Sequence, residues 1–89
     1  MTELDGAPYS VHVTQIRDSV RHYHRDTAEV YYILEGVGKI ELDGEWHDIR
    51  PSTTIHIPPG VRHKLVSEAG VKTVIVAVPP YSPRDEYLD

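Results

Sequence analysis

Cysteine is absent from all 89 residues, which excludes disulfide staples and thiolate metal sites and leaves the redox compartment unread. No run approaches the roughly 20 consecutive apolar residues of a membrane-spanning helix, so no membrane partner is expected. A basic excess is also lacking, since the formal net charge is −5. Much of that charge sits at the ends: Glu3 and Asp5 make one end −2, and Arg84, Asp85, Glu86 and Asp89 make the other −2, leaving the body near −1. Such a body offers no cationic stripe to follow a phosphate backbone, and nucleic acid is not an expected partner. Met1 to Pro8 is acidic and polar, unlike the basic and apolar start of a secretory leader, and a cytoplasmic location is expected. No segment carries a 3.6-residue apolar period over helical length, and there are no internal repeats, low-complexity tracts or linkers. Helical bundles, repeat arrays and two-domain architectures are thereby set aside.

What is present reads as strands. Ser10 to Ile16 alternates and is rich in β-branched residues, Arg17-Asp18-Ser19 breaks it, and Val20 to His24 and Glu29 to Leu34 follow as the second and third strands. Asp43-Gly44, flanked by Lys39 to Leu42 and Glu45 to Ile49, is the strongest hairpin signal in the chain. Thr53 to Ile57 is a strand closed by Pro58-Pro59-Gly60. His63 to Val66 is another, and a turn at Glu68-Ala69-Gly70 leads into a last strand, Val71 to Val78. Pro79-Pro80-Tyr81-Ser82-Pro83 cannot continue a ladder and predicts an extended end. The expected layout is an N-terminal tail over residues 1–8, one domain over 9–80 and a C-terminal tail over 81–89. Short strands at this spacing point to a small closed antiparallel sandwich or barrel. The third strand is apolar on both faces, with Tyr31 and Ile33 in step with Glu29 while Val30, Tyr32 and Leu34 face away. In so short a chain that predicts a second layer, best supplied by a homodimer.

The chemistry-bearing residues cluster. His22 and His24 alternate along a strand and point to one side, Glu29 opens the next strand beyond the bend Arg25-Asp26-Thr27, and His63 follows the rigid turn at Pro58-Pro59-Gly60. Three imidazoles and a carboxylate suit Fe, Mn, Co, Ni, Cu or Zn. His12, His47 and His56 lack partners at such spacing and read as surface or hydrogen-bonded histidines. Tyr31 shares the parity of Glu29 and is the candidate pocket hydroxyl, with an aromatic core role as its plain alternative. Val20, Ile33 and Leu65 are expected to wall the pocket. Arg21, Arg25, Arg62 and Lys64 alternate with ligands and point elsewhere, so a basic clamp for a phosphorylated substrate is not expected.

His22, His24, Glu29 and Gly36 on one side, with Pro58, Gly60 and His63 on the other, resemble the two motifs of the cupin superfamily, over about Val11 to Pro79. Ile16 and Ser52 stand where that family has glycine, and Ser67 where it has asparagine. The resemblance implies an all-β antiparallel jelly-roll barrel holding one divalent transition metal on His22, His24, Glu29 and His63. It implies a metal-dependent enzyme of dioxygenase or lyase type acting on a small chelating molecule. The alternatives are a non-catalytic module that binds a metal or small ligand, and a cupin isomerase or decarboxylase.

Overall fold

Eight strands carry the chain in the computed structural model, which describes residues 8–88. They are β1 (Ser10–Asp18), β2 (His22–Tyr23), β3 (Ala28–Glu35), β4 (Gly38–Leu42), β5 (Glu45–Ile49), β6 (Thr54–Ile57), β7 (His63–Val78) and β8 (Tyr87–Leu88). Every pairing is antiparallel. No helix among the described residues is long and apolar enough to cross a membrane. Residues 1–7, most of the expected N-terminal tail, lie outside the described residues, as does Asp89.

β7 joins the two layers. Its first turn of ladder, His63 to Val66, pairs with β4, while its second part, from Val71 or Lys72 onward, runs between β1 and β3. β6 flanks β3 on one layer, and the hairpin β4–β5 flanks the other. The sequence predicts two strands here separated by a turn. The structure instead keeps one strand that bends at Glu68–Gly70, where Gly70 takes φ +97°. The bend crosses the start of β4: a side chain on Gly36 (φ +94°) would collide with the Gly70 carbonyl oxygen, which explains the glycine there. Ser67 secures the crossing by donating to the Val37 carbonyl at 2.6 Å and accepting from the Gly70 N–H at 3.0 Å. Ser52, another position where family glycine was expected, adopts φ +74° in the turn before β6.

The two inner faces meet in a core of Tyr31, Ile33, Ile40, Ile49, Ile55, Ile57, Leu65, Val71 and Ile75, all buried. Each such aliphatic side chain removed from water stabilises the fold by about 1.5–3 kcal/mol, and strand alternation selects them: Ile55 and Ile57 turn in, Thr54 and His56 out. The hairpin between β4 and β5 has Asp43 at φ 48° and Gly44 at φ 90°, both central residues positive as a two-residue turn of this hand demands. The buried Glu41 carboxylate accepts from the Gly44 N–H at 2.8 Å and pairs with Arg21.

Two expectations change at the edges. Val20 is 67 % exposed and walls no pocket, because only His22–Tyr23 of the predicted second strand form ladder and the chain before them swings outward. The C-terminal segment is not an extended tail. Pro83–Asp85 makes one short 3-10 turn capped by the Ser82 hydroxyl, and Tyr87–Leu88 pairs with β2. The fixing element is the buried Asp85 carboxylate, which accepts from the N–H groups of Arg25 (2.9 Å), Asp26 (3.1 Å) and Thr27 (3.0 Å). Tyr23 and Tyr87 stack at 5.4 Å between ring centroids, with Arg25 over Tyr87.

Candidate metal centre

His22 and His63 sit opposite one another on β2 and β7, so adjacent strands present them side by side, ring centroids 4.2 Å apart. His24 follows two residues later on the same side, 5.2 Å from His22 and 5.5 Å from His63. One ring nitrogen from each of the three histidines falls within 4.8 Å of the others. Glu29, near the start of β3, reaches in from the facing layer. Its Oε1 lies 3.1 Å from His24 Nε2 and 3.4 Å from His63 Nε2. The structure therefore brings all four predicted ligand candidates into one cluster, with Glu29 against two of the three imidazoles.

The tautomers follow from the backbone. Each Nδ1 faces a carbonyl oxygen, which only accepts, so each Nδ1–H donates: His22 to Val20 (2.7 Å), His24 to Asp85 (2.8 Å) and His63 to Val61 (3.0 Å). A neutral imidazole protonated at Nδ1 carries its lone pair on Nε2. The three lone pairs are thus aimed inward by fixed outer contacts, the usual support for a metal-ligating histidine. His24 Nε2, His63 Nε2 and Glu29 Oε1 are buried and have no hydrogen-bond partner. Lone pairs gathered against a carboxylate without a hydrogen bond are costly to bury, and a cation at their centre removes the cost. Three nitrogens and one carboxylate oxygen fit a divalent transition metal.

Charge couples these groups to one another. Burial alone would raise the Glu29 pKa, but the adjoining His24 and His63 rings outweigh it and hold it down to about 2. Burial would lower His24, yet the adjoining Glu29 carboxylate outweighs it and the pKa is raised. His22 is lowered, first by burial and then by the like charge of His63. Tyr31 is 5 % exposed and stands edge-on to His63, with centroids 6.3 Å apart. Burial first, then Glu29 and Glu86, push its phenol well above the ordinary range.

Two inward-facing residues escaped the sequence reading. His12, expected to be a surface or hydrogen-bonded histidine, pairs in register with Ile75 and so shares the inner face of β1; its Nδ1 is buried without a partner. Its alternation with Thr14 and Ile16 was the available signal, masked by the equal plausibility of either face. Glu86 places Oε1 4.0 Å from His22 Nε2, and no sequence pattern marks the strand that brings it there. A separate cavity of about 330 Å³ opens between the β4–β5 hairpin and β6 over Ile40, Ile49 and Ile55, with His47 and His56 beside it. None of the four ligand candidates lines it, so it is not the site of the clustered chemistry.

Residues 9–79 match the family model described as the cupin domain. Over 66 residues the chain is 39 % identical to an uncharacterized protein of Methanocaldococcus jannaschii, a match covering 72 % of this chain and 53 % of that one. A glucose-6-phosphate isomerase of Thermococcus gammatolerans is 34 % identical over 73 residues, covering 74 % of this chain and 39 % of the isomerase. The chain thus spans about half, or less, of the length of these relatives. Among solved structures, a protein from Planctomyces limnophilus superposes with a TM-score of 0.86 at 36 % identity, over 93 % of this chain and 73 % of that one.

Proposed function

The chain belongs to the cupin family, and from that premise we propose that it is a metal-dependent enzyme of dioxygenase or lyase type, acting on a small chelating molecule. The observation that carries the reading is the set of buried, partnerless acceptors at His24 Nε2, His63 Nε2 and Glu29 Oε1, with His22 alongside. These four residues would hold one divalent ion of Fe, Mn, Co, Ni, Cu or Zn. Such an ion supplies Lewis acidity at any coordination position the four leave open.

The chain's own residues do the rest. The Val20, Asp85 and Val61 carbonyls orient the three imidazoles and keep their protons on Nδ1. Glu29 remains a carboxylate at any ordinary pH and balances part of the ion's charge. Tyr31 stays a neutral phenol, able to donate one hydrogen bond beside His63. Ile33, Ile57 and Leu65 belong to the dry core that backs the site. An isomerase is the second reading, favoured by the 34 % identity to the Thermococcus enzyme.

Metal analysis and calorimetric titration test the proposal. Wild type should take up one equivalent of divalent metal, whereas His22→Ala and His63→Ala should lose at least tenfold in affinity, as removal of a ligand exceeds the 10–100-fold typical of its outer supports. Unchanged affinity in both variants sinks the assignment. Full metal uptake without turnover of any chelating substrate would favour a non-catalytic binding module.

The same proposal includes a homodimer. Val13, Val74 and Tyr32 form one cross-strand row on the outer side of β1, β7 and β3, and Val11, Val76 and Val30 form the next. Tyr32 and Leu34 are exposed there at 41 % and 39 %. A contiguous apolar face of this kind suits a second copy of the chain.

A further inference from the structure

β8 brings a second carboxylate to the metal centre. His22 lies opposite Leu88 and Tyr23 opposite Tyr87, so in this register Glu86 advances toward His24, on the face that carries both histidines. Its Oε1 stands 4.0 Å from His22 Nε2, too far for a hydrogen bond and near enough to meet anything bound beside that nitrogen. The Glu86 side chain is 42 % exposed, against 14 % for His22, so it occupies the solvent side of the cluster while Glu29 occupies the buried side.

That position is fixed rather than incidental. On one side Asp85 is tied through its carboxylate to three backbone N–H groups, and its carbonyl accepts from His24 Nδ1. On the other Tyr87 is held between Tyr23 and Arg25. The cations of the adjoining strands turn to the outer side, Arg62 over Tyr23 at 3.7 Å and Arg21 on Glu41 at 3.0 Å. With a divalent ion in place, Glu29 and Glu86 together balance its two charges. A ligand tail that adds a negative charge near Glu86 then meets repulsion, and one that adds a hydrogen-bond donor or a positive charge meets attraction.

Building on the metal-centre reading, we infer that Glu86 determines specificity: the site admits a small chelating molecule whose free end is neutral and hydrogen-bond-donating or carries an ammonium group, and rejects one ending in phosphate or carboxylate. By this inference the substrate is not a sugar phosphate, whose charge Glu86, just before β8, would repel. Glu86 acts here on binding, and no part in bond making is assigned to it.

Three hydroxamates with a common two-carbon chain test this on the metal-loaded protein by calorimetry: propionohydroxamate, β-alanine hydroxamate and succinate monohydroxamate, with neutral, ammonium and carboxylate ends. Wild type should bind the ammonium probe on the order of tenfold more tightly than the carboxylate probe, a modest factor because Glu86 is part-exposed and screened. In Glu86→Gln the two should converge. Equal binding of the three probes to wild type, or a ranking that survives in Glu86→Gln, overturns the inference while metal-dependent binding of propionohydroxamate leaves the metal centre standing. If no metal is taken up, or propionohydroxamate binds equally with and without metal, both readings fall. The melting temperature of metal-free Glu86→Gln serves as the folding control, and a near wild-type value is expected for so exposed a side chain.

Discussion

His24 and Glu29 show how one contact has opposite consequences with and without an ion. In the metal-free protein Glu29 raises the His24 pKa, so this pair contributes stability that is present below the ordinary histidine value and lost as pH rises through the raised one. His22 is lowered, so its contribution is present above the ordinary value and lost as pH falls. The two trends oppose each other between about pH 7.5 and 5. Glu29, at about 2, contributes stability that falls away only below the ordinary carboxylate range. The metal-loaded protein has no such balance, because every bound Nε2 must be deprotonated and protons compete with the ion. The gap in melting temperature between loaded and metal-free protein should therefore narrow steadily from about pH 7.5 to 5. A constant gap would mean that these histidines do not ligate. The clustering of His22, His24, Glu29 and His63 was legible in the sequence because alternation and motif spacing suffice to gather them. His12 and Glu86 were not: a histidine on an alternating strand does not reveal which face is inside, and Glu86 depends on a pairing that no local pattern encodes.

β8 is the element whose role was least legible. Two residues of ladder after a proline-rich stretch carry no periodicity, and Pro79 to Pro83 argued for an extended tail. What places the strand is tertiary: the Asp85 carboxylate receives three N–H groups from the bend between β2 and β3. Burial alone would raise the Asp85 pKa, but those N–H donors hold it below its usual value. Hydrogen bonds to a charged acceptor contribute about 1.5–3 kcal/mol, so Asp85→Ala should destabilise the fold by roughly that amount in chemical denaturation. The same change loosens the carbonyl that orients His24, and metal affinity should drop about 10–100-fold, as for other outer supports of a ligating histidine. A stability loss with unaltered metal affinity would show that the segment is only a clasp. The bend in β7 was misread for a related reason. Glu68-Ala69-Gly70 has the composition of a turn, yet the positive φ of Gly70 serves a strand that changes layer without ending.

For the whole molecule the decisive quantity is apolar surface left outside. The inner faces of the two layers are filled, chiefly by isoleucine, and the third strand cannot turn its second apolar face inward as well. Val30, Tyr32 and Leu34 therefore project from the outer side, where β7 and β1 extend the patch through Val74, Val76, Val11 and Val13. Alternation predicted which residues leave the core, and the register adds that they stand in continuous cross-strand rows. A small domain has a limited core to offset the entropy of folding, so burying this face against a second copy would add stability where it is scarce. Stable pairs of this kind bury about 800 Å² per partner or more, within reach of three adjacent strands. Sedimentation at micromolar concentration should give a dimer, and the melting temperature should rise with protein concentration, as it does when association is linked to folding. Tyr32→Glu places a charge at the β3 end of the Val13–Val74–Tyr32 row, and should yield a monomer that melts earlier and without concentration dependence. Because Tyr32 faces away from the histidines, this variant should still bind metal, which separates loss of pairing from loss of fold. A wild-type chain that sediments as a monomer would instead leave the outer face of β3 to some other partner, and the dimer would have to be abandoned.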